Sequence, residues 1–360
     1  MAHINISQVS KTFGAHAAIR DLSLEIEDGQ FFVLLGPTGA GKTTTLRLIA
    51  GLEKQDSGTI AIDRQDVSNW GVAERDVALV LQQYSLYPRY TVRQNLEFPL
   101  KPKIRGLSQI EIDERVKAAA KIVRIEHLLD RKTDRLSGGE MQRVSIGRAI
   151  VRKPKIFLMD EPLSNLDAKL RELLRAELKD IKLRLGATFL FVTHDQVEAM
   201  SMGDRIAVMN QGSIVQTGTP YEIYFKPHNT FVAGFVGSPA MNLLEATLRD
   251  NCILAAGGEI ELAFSESARH RLRSRPISSR FTIGFRAEDV RFSRDGGTPA
   301  RVHDVENHGV EKVVTLKVGP HLVRATVPAI FPVQIDENVR FSVSEERLHL
   351  FDGETGLNLA

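Results

Sequence analysis

The chain has 360 residues, more than most single domains contain, so its length predicts two domains. A formal net charge of +2 is too small to indicate a nucleic-acid-binding protein. The single cysteine, Cys252, excludes an internal disulfide and fits a reducing compartment. Residues 1–20 lack the apolar segment of a secretory signal, and no run of about 20 apolar residues could span a bilayer. Any role at a membrane is therefore expected to be peripheral.

The first elements of the chain have the pattern of a sheet that leads into a glycine-rich loop. Residues 4–9 and 22–26 alternate apolar and polar side chains, which predicts an antiparallel pair of strands. Residues 31–35 form a continuous apolar run, the pattern of a fully buried strand. Helical spacing over residues 44–50 predicts a helix that ends at Gly51.

Later elements continue this α/β pattern. Apolar residues on one face predict a helix over residues 108–130, and a second helix is expected to begin after Ser137 and to run through Ile150. Apolar runs at 156–159 and 188–193 predict two more buried strands, each of which ends at polar or charged residues. Because buried parallel strands present their carboxyl ends at one edge, we expect a nucleotide site there.

The texture of the sequence changes near residue 236. Beyond this point, short runs rich in Val, Ile and Thr are separated by Gly, Pro and Asp-Gly pairs, which is typical of all-β structure. These runs lie at residues 282–285, 313–318, 322–327 and 339–343. The sequence therefore predicts an α/β domain over residues 1–235 and an all-β domain over residues 236–360.

A phosphate-binding loop follows the first buried strand. The stretch Gly36-Pro37-Thr38-Gly39-Ala40-Gly41-Lys42-Thr43 matches the P-loop pattern in full. Its glycines let backbone N–H groups point at phosphate oxygens, and the following helix aims its positive end at the same anion. Lys42 adds a full charge, and the Thr43 hydroxyl is a candidate Mg²⁺ ligand. The candidate phosphate-binding residues are Gly36, Pro37, Thr38, Gly39, Ala40, Gly41, Lys42, Thr43 and Thr44.

Two adjacent carboxylates end the predicted strand at 156–159. Asp160 would sit beside the loop and hold Mg²⁺, and Glu161 would lie closer to a water that attacks the γ-phosphate. An Asp-Glu pair is usually part of a solvated loop, which is the alternative interpretation. Since this pair ends an apolar strand and precedes Pro162, we predict that Asp160 is a metal ligand and Glu161 a catalytic residue.

Three motifs together resemble those of the ATP-binding-cassette (ABC) ATPases. They are the loop at 36–43, Leu136-Ser137-Gly138-Gly139-Glu140, and Leu158-Met159-Asp160-Glu161, in this order. The resemblance implies an α/β P-loop NTPase fold with a helical subdomain at about residues 88–150. It also implies that the chain hydrolyses ATP, with ATP and Mg²⁺ as its cofactors.

The resemblance assigns roles to three further residues. Thr193-His194-Asp195 resembles the family's switch, in which the histidine contacts the γ-phosphate, although a strand-end histidine can also be structural. Gln82 is expected to reach Mg²⁺ and the attacking water, with the adjacent Gln83 as the alternative. Phe13 lies where relatives place an aromatic ring on adenine; the alternative is that it fills the core.

The motif at 136–140 implies a homodimer. Ser137, Gly138 and Gly139 open a helix, and its hydroxyl and free amides form a second anion site for which one chain with one ATP has no use. The family arrangement implies that each chain's motif covers its twin's ATP, with Asp167 in the loop that crosses between the two sites. An ordinary capped helix start is the alternative.

Glu140 is a departure, because the family most often has Gln at this position. We expect the carboxylate to weaken the closed dimer slightly if it points at the trapped phosphates. If it points to solvent, we expect no effect.

Further stretches resemble the ATPase subunits of carbohydrate-type importers, the maltose and glycerol-phosphate group. Residues 161–171, Tyr87-Pro88 and Phe98-Pro99-Leu100 carry this likeness in the first domain. In the tail, residues 237–242 and 284–289 resemble the group's linker and C-terminal motif, with Ala287 where proline is usual. The resemblance implies that the tail is an OB-like (TOBE) regulatory domain that helps dimerisation.

The implied function is solute import. The protein is expected to lie on the cytoplasmic face of the inner membrane and to act on two transmembrane permease subunits, and through them on an extracytoplasmic solute-binding protein. Residues 82–100 are the candidate contact with the membrane partner, although their aromatic side chains could instead fill the helical subdomain. No nucleic-acid partner is expected, since the tail lacks aromatics interleaved with a basic stripe. The alternative function is a soluble ABC ATPase acting on ribosomes or DNA. The sequence does not identify the solute.

Overall fold

The computed structural model describes residues 2–102, 106–249, 252–263, 280–293 and 296–359. It divides into a first unit, Met1–Pro220, and a second unit, Tyr221–Ala360. Within the described ranges, no helix is long and apolar enough to cross a bilayer.

The first unit consists of two sheets and their helices. Its strands are β1 (Ile4–Phe13), β2 (His16–Ile26), β3 (Phe31–Leu35), β4 (Ser57–Ile62), β5 (Gln65–Asp66), β6 (Val77–Val80), β7 (Ile156–Asp160), β8 (Thr188–Thr193), β9 (Arg205–Asn210) and β10 (Ser213–Gly218). Its α-helices are α1 (Lys42–Ala50), α2 (Val92–Glu97), α3 (Gln109–Ile122), α4 (Gly138–Ile150), α5 (Ala168–Leu185) and α6 (Gln196–Met202).

The larger sheet of the first unit has the order β10-β9-β3-β8-β7-β6 and is parallel except for β10. Every residue of β3, β7 and β8 is buried, which explains their continuous apolar runs. In register, Leu35 pairs with Thr193, and Asp160 pairs with Val192. The carboxyl ends of these strands therefore meet at one edge, as the sequence predicted.

The smaller sheet has the order β2-β1-β4-β5 and is antiparallel. Ile4 pairs with Ile26 and Ile6 with Leu24, which confirms the predicted pair of strands. Apolar side chains of both sheets and of α1 share one core, to which Ile4, Phe32 and Leu46 belong.

The predicted helix over 108–130 is shorter in the structure. It becomes α3, which begins with a capping box between Ser108 and Glu111 and ends at Ile122. The physical reason is Arg124, whose φ of 57° is left-handed and stops the helical run. A separate 3₁₀ turn follows at Glu126–Leu128. The second predicted helix is confirmed as α4, which begins after the N-cap Ser137.

The second unit is predominantly β structure. Two short helices, α7 (Pro220–Phe225) and α8 (Thr230–Phe235), precede its strands. The strands are β11 (Asn242–Arg249), β12 (Cys252–Ala255), β13 (Ile260–Ala263), β14 (Phe281–Phe285), β15 (Val290–Ser293), β16 (Thr298–Asn307), β17 (Glu311–Val318), β18 (His321–Pro328), β19 (Asn338–Val343) and β20 (His349–Asp352). They form two sheets, β13-β12-β11-β14-β20 and β15-β19-β16-β17-β18, whose apolar faces share one core.

The predicted domain boundary at residue 236 falls inside this second unit. The helical stretch before it is tied to the chain's C-terminal end, since the Thr230 N–H donates to Gly356 O at 2.9 Å and the Asn358 N–H to His228 O at 2.8 Å. The predicted boundary rests on a change in composition, and composition does not reveal such long-range hydrogen bonds. The boundary at 236 remains a prediction about where the two folding domains separate.

A buried guanidinium connects this helical stretch to the strands. Arg286 donates to the carbonyl oxygens of Tyr224, at 2.7 Å, and Val236, and it lies 4.0 Å above the Tyr224 ring. Burial, and then the hydrogen bond that its hydroxyl donates to Glu288, raise the pKa of Tyr224 to about 12. Burial, with the Arg286 charge as the second cause, lowers the pKa of His349 to about 4. His349 is therefore held neutral in the fold.

We expect His349 to make the second unit acid-sensitive. An unfolded histidine takes up a proton near pH 6.5, but the folded one does so only near pH 4, so protons favour the unfolded state between these values. The stabilisation is fully present above pH 6.5 and is lost as the pH falls towards 4, by up to roughly 3 kcal/mol. His349→Gln should reduce this loss when unfolding is followed by calorimetry from pH 7 to 4.5.

The control for this experiment is His303→Gln, at an exposed position of β16. It should keep the acid sensitivity of the parent protein. Parallel stability curves for His349→Gln and the parent would contradict the assignment.

Candidate functional site

The loop between β3 and α1 is closely packed by neighbouring backbone. A Cβ atom on Gly36 would lie 2.3 Å from Met209 O of β9, and one on Gly41 would lie 2.6 Å from Ala18 O of β2. Gly41 also has a φ of 103°, which side chains rarely adopt. The packing of two neighbouring strands thus requires glycine at both positions.

Lys42 begins α1 and turns its side chain back into the loop. Its Nζ donates to Gly36 O at 2.9 Å and to Pro37 O at 3.0 Å, and lies 3.8 Å from Glu161 Oε1. Burial lowers the pKa of Lys42, and the negative charges of Glu161 and Asp160 oppose that shift. The ammonium group therefore already lies within the loop where it is predicted to bind phosphate.

Asp160 ends β7 and is 8% exposed. Its Oδ1 accepts a hydrogen bond of 2.9 Å from the Thr43 hydroxyl. The pKa of Asp160 is raised because the carboxyl group is buried, and the hydrogen bond from Thr43 opposes only part of this rise. The adjacent carboxylate and hydroxyl oxygens are the hard donors that Mg²⁺ prefers, so this pair fits the predicted metal site.

Glu161 has an unusual backbone for a side chain of its size. Its φ of 43° is left-handed, and its N–H donates to Val192 O of β8 at 3.0 Å. The carboxylate then lies between two positively chargeable groups, 3.8 Å from Lys42 Nζ and 3.0 Å from His194 Nδ1. A strained backbone that aims a carboxylate in this way is a frequent feature of reaction centres.

A cleft of about 600 Å³ opens beside the loop. The predicted site residues that line it are Phe13, Thr38, Gly39, Gly41, Lys42, Thr43, Thr44, Gln82, Glu161 and His194. Gly36, Pro37 and Ala40 lie in the same loop, and Asp160 lies behind Thr43. The structure therefore brings together the predicted phosphate, metal and catalytic residues.

Several residues of the cleft clarify or extend the sequence analysis. Gln82 lines the cleft and its Nε2 donates to Ser164 Oγ at 3.3 Å, whereas Gln83 is not among the lining residues. Phe13 is 45% exposed at the cleft and so does not fill the core. His16 and Ala18 of β2 also line the cleft, and nothing in the sequence pattern predicted them.

The Ser137-Gly138-Gly139 stretch starts α4 away from the lining of this cleft. Gly139 is packed against α5, where an added Cβ would lie 2.5 Å from a Leu170 methyl carbon. Asp167 caps α5, since its Oδ1 accepts from the Leu170 N–H at 3.0 Å. Among the described residues, the predicted trans-acting motif therefore does not line the chain's own cleft.

Glu140 folds back over the start of α4. Its Oε2 accepts hydrogen bonds from the Ser137 N–H at 2.8 Å and the Ser137 hydroxyl at 2.9 Å. Its Oε1 lies 3.8 Å from the Arg131 guanidinium. The hydrogen bond from the Ser137 N–H is the main cause that lowers the pKa of Glu140. A negative charge therefore lies at the helix end that is predicted to receive a phosphate.

The segment after Gln82 rests on the last turn of α4. Arg148 donates to Ser85 O at 2.6 Å and to Tyr84 O at 3.4 Å, and its guanidinium lies 5.7 Å from the Tyr87 ring centre. No local motif in the sequence predicts these contacts of Arg148, because they join segments that are distant along the chain.

Part of the aromatic cluster at 82–100 is exposed. Tyr87, Tyr90 and Phe98 form an aromatic group with exposed fractions of 36%, 39% and 43%. Val92 and Leu96 are fully buried, so their side chains belong to the core of the helical subdomain. The core-filling interpretation therefore holds for Val92 and Leu96, whereas contact of the exposed rings with a membrane partner stays a prediction.

We expect Gly36→Ala to impair nucleotide binding directly. Its Cβ would collide with the backbone carbonyl of Met209. Because a backbone carbonyl cannot rotate away as a flexible side chain can, the loop itself would have to shift. ATP affinity, measured with a fluorescent analogue, should fall by more than about tenfold. Gly186→Ala is the control, because that glycine caps α5 with a φ of 59° and open space around it. Equal ATP affinity in the two variants would contradict the packing argument.

Two family models match the chain. Residues 19–164 match the model described as ABC transporter. Residues 237–290 match the model described as MalK OB fold domain. The first match contains the loop and the carboxylate pair, and the second lies in the β unit.

Similar proteins are found over the whole chain. The trehalose/maltose import ATP-binding protein MalK of Thermococcus litoralis is 46% identical over 99% of this chain and 99% of its own length. The sn-glycerol-3-phosphate import ATP-binding protein UgpC of Ruegeria pomeroyi is 43% identical over 100% of both chains.

Among solved structures, the fold resembles the dimeric post-hydrolysis ATP-binding cassette MJ0796 bound to ADP and Pi. That chain is 31% identical, with a TM-score of 0.54, and the match covers 60% of this chain and 98% of that one. By sequence, fold and site geometry together, the chain belongs to the family of ABC transporter ATP-binding subunits with a MalK-type OB-fold domain.

Proposed function

We propose that this chain is the ATP-hydrolysing subunit of an importer for a carbohydrate or a related solute. The observation that carries the proposal is the meeting of Lys42, Asp160, Glu161 and His194 at one cleft. The full-length similarity to sugar and glycerol-phosphate import subunits supports import as the process that is powered. The rival function, a soluble ATPase on ribosomes or DNA, has no support from those relatives.

ATP would lie with its triphosphate in the loop at 36–41 and its adenine against Phe13. The N-terminus of α1 and Lys42 would neutralise the phosphates. Mg²⁺ would be held by Thr43 and Asp160, whose oxygens are already 2.9 Å apart, with Gln82 as a third candidate ligand. The metal would neutralise charge that develops on the phosphate oxygens.

Glu161 would orient the attacking water and accept its proton as the water oxygen bonds to the γ-phosphorus. The products are ADP and inorganic phosphate. His194, 3.0 Å from the carboxylate, would keep Glu161 in position and contact the γ-phosphate. Lys42, 3.8 Å from Glu161, would bind the β- and γ-phosphates.

A second copy of the chain would complete each site. Ser137, Gly138 and Gly139 do not line their own chain's cleft, and the positive end of this helix suits a phosphate held by a twin. Asp167 would lie in the segment that crosses between the two sites. Two ATP molecules would thus be enclosed by a head-to-tail homodimer.

The exposed aromatic group at Tyr87, Tyr90 and Phe98 would receive the membrane subunits. Arg148 attaches this segment to α4, and Gln82 at its start lines the nucleotide cleft. Closure of the dimer would therefore move the docked segment. The chain would lie at the cytoplasmic face of the membrane on two permease subunits, with a solute-binding protein acting indirectly from the other side.

Glu161→Gln tests the catalytic assignment. It keeps the shape of the side chain but removes the proton acceptor, so turnover should fall by about 10²-fold or more. Chromatography with ATP and Mg²⁺ should then show a trapped dimer. Glu172→Gln, at an exposed position of α5, is the control and should leave both turnover and dimerisation unchanged. Parental turnover by Glu161→Gln would overturn the assignment.

Glu140→Gln tests the charge at the trans-acting helix. Within a Glu161→Gln background, removal of this charge should reduce repulsion of the twin's phosphates and lower the ATP concentration for half-dimerisation by roughly threefold. The difference should shrink as salt is raised. Glu111→Gln is a matched control, since Glu111 makes the same capping box with Ser108 on α3. An unchanged or weaker dimer for Glu140→Gln would refute this role.

A further inference from the structure

The crossing segment, defined here as residues 163–167, lies between Glu161 and the start of α5. Its first half is bound to the nucleotide cleft. The Ser164 hydroxyl donates to Glu161 O at 2.9 Å and accepts from Gln82 Nε2 at 3.3 Å. The Asn165 side-chain amide donates to Gln82 O at 3.1 Å. The segment is therefore attached to two residues that line the cleft.

Arg171 holds the second half of the crossing segment. It lies near the start of α5, and its Nη2 donates to Leu166 O at 3.2 Å. Its Nη1 donates to Asp195 Oδ2 at 3.2 Å, and its Nε lies 3.8 Å from Glu198 Oε1 at the start of α6. One guanidinium thus spans from the crossing segment to the residue that follows His194.

The residues on both sides of His194 belong to the same network. The Asp195 carboxylate caps α6, since it accepts from the Val197 N–H at 2.7 Å and from the Glu198 N–H at 3.1 Å. The Thr193 hydroxyl accepts from the Asp195 N–H at 3.0 Å and donates to Glu198 Oε2 at 2.6 Å. Because the backbone of His194 lies between these two bonded neighbours, a displacement of Asp195 would also displace the ring of His194.

The chemistry of the guanidinium suits this position. Glu198 is 3% exposed, and burial raises its pKa, whereas the Thr193 hydrogen bond and the charge of Arg171 oppose that rise. Arg175, one turn further along α5, also acts on Glu198 through its charge. The planar fork of Arg171, however, donates to a carbonyl and to a carboxylate at the same time. The two hydrogen bonds of Arg171, in addition to its charge, therefore make the link.

We propose that Arg171 is a positioning residue that links the crossing segment to His194, so that a second copy of the chain docking on this segment brings His194 to the γ-phosphate. The inference rests on the proposed function, in which the crossing segment lies between two ATP sites and His194 contacts the γ-phosphate. Among the described residues, Arg171 does not line the cleft, so it acts through His194 and not on ATP itself. The alternative is a structural role that only joins α5 to α6.

Steady-state ATP turnover of the full-length chain tests the proposal, at a protein concentration at which the parent is dimeric. Arg171→Gln removes the fork but keeps a polar side chain. Its kcat should fall by about tenfold or more, because a displaced His194 no longer meets the γ-phosphate. Its KM for ATP should change by less than about twofold, since the phosphate loop is untouched. A parental kcat, or a loss confined to KM, would overturn the proposal.

A double-mutant cycle with His194→Ala separates positioning from a structural role. In that background the residue through which Arg171 acts is lost, so Arg171→Gln should lower single-turnover hydrolysis by less than about twofold. An equal fold-loss in both backgrounds would refute the link. Asp195→Asn breaks the link from its other end and should give the same two results. If Arg171→Gln does not fold, Asp195→Asn decides the question by the same outcomes.

Arg175→Gln is the matched control, because it removes a positive charge near Glu198 but leaves the bonds of Arg171 in place. Its kcat should stay within about twofold of the parent. Equal losses in Arg175→Gln and Arg171→Gln would contradict the proposal, since charge alone would then explain both. Glu161→Gln keeps this test separate from the proposed function. Parental turnover there overturns the ATPase assignment, whereas its loss there together with a parental kcat in Arg171→Gln overturns only the positioning role.

Discussion

The nucleotide cleft depends on the register of three buried parallel strands. Leu35 of β3 pairs with Thr193 of β8, and Asp160 of β7 pairs with Val192. These strands therefore end together, and the residues that follow them reach the same point. A shift of one residue in one strand would turn its side chains to the opposite face. The apolar side chains that hold these buried strands in register thus also fix the distances between the site residues at their ends.

Two kinds of backbone constraint refine this arrangement. Gly36 and Gly41 accept close approaches from Met209 and Ala18 that no side chain would permit. Glu161 adopts a left-handed conformation that costs free energy and places its carboxylate between Lys42 and His194. The core of the first unit, which spans both of its sheets, supplies the stability that offsets this strain.

Much of this site could be predicted from sequence because its chemistry is local. A glycine-rich loop, a carboxylate pair after an apolar run and a serine at a helix start each depend on a few neighbouring residues. The predicted end of α3 was wrong, because the helix stops at the left-handed backbone conformation of Arg124. Arg148, His16 and the buried contacts of Arg286 could not be predicted, since each arises where segments distant in sequence pack together.

The division of the chain into half-sites is the central claim about function. Each chain has a complete phosphate loop, but its Ser137-Gly138-Gly139 motif does not line its own cleft. Turnover should therefore depend on the encounter of two chains. The most direct measurement is ATP turnover per chain as a function of protein concentration, with the oligomeric state followed by sedimentation. We expect turnover to rise with the dimer fraction towards a plateau. Full turnover that is independent of concentration in a monomeric preparation would contradict the account.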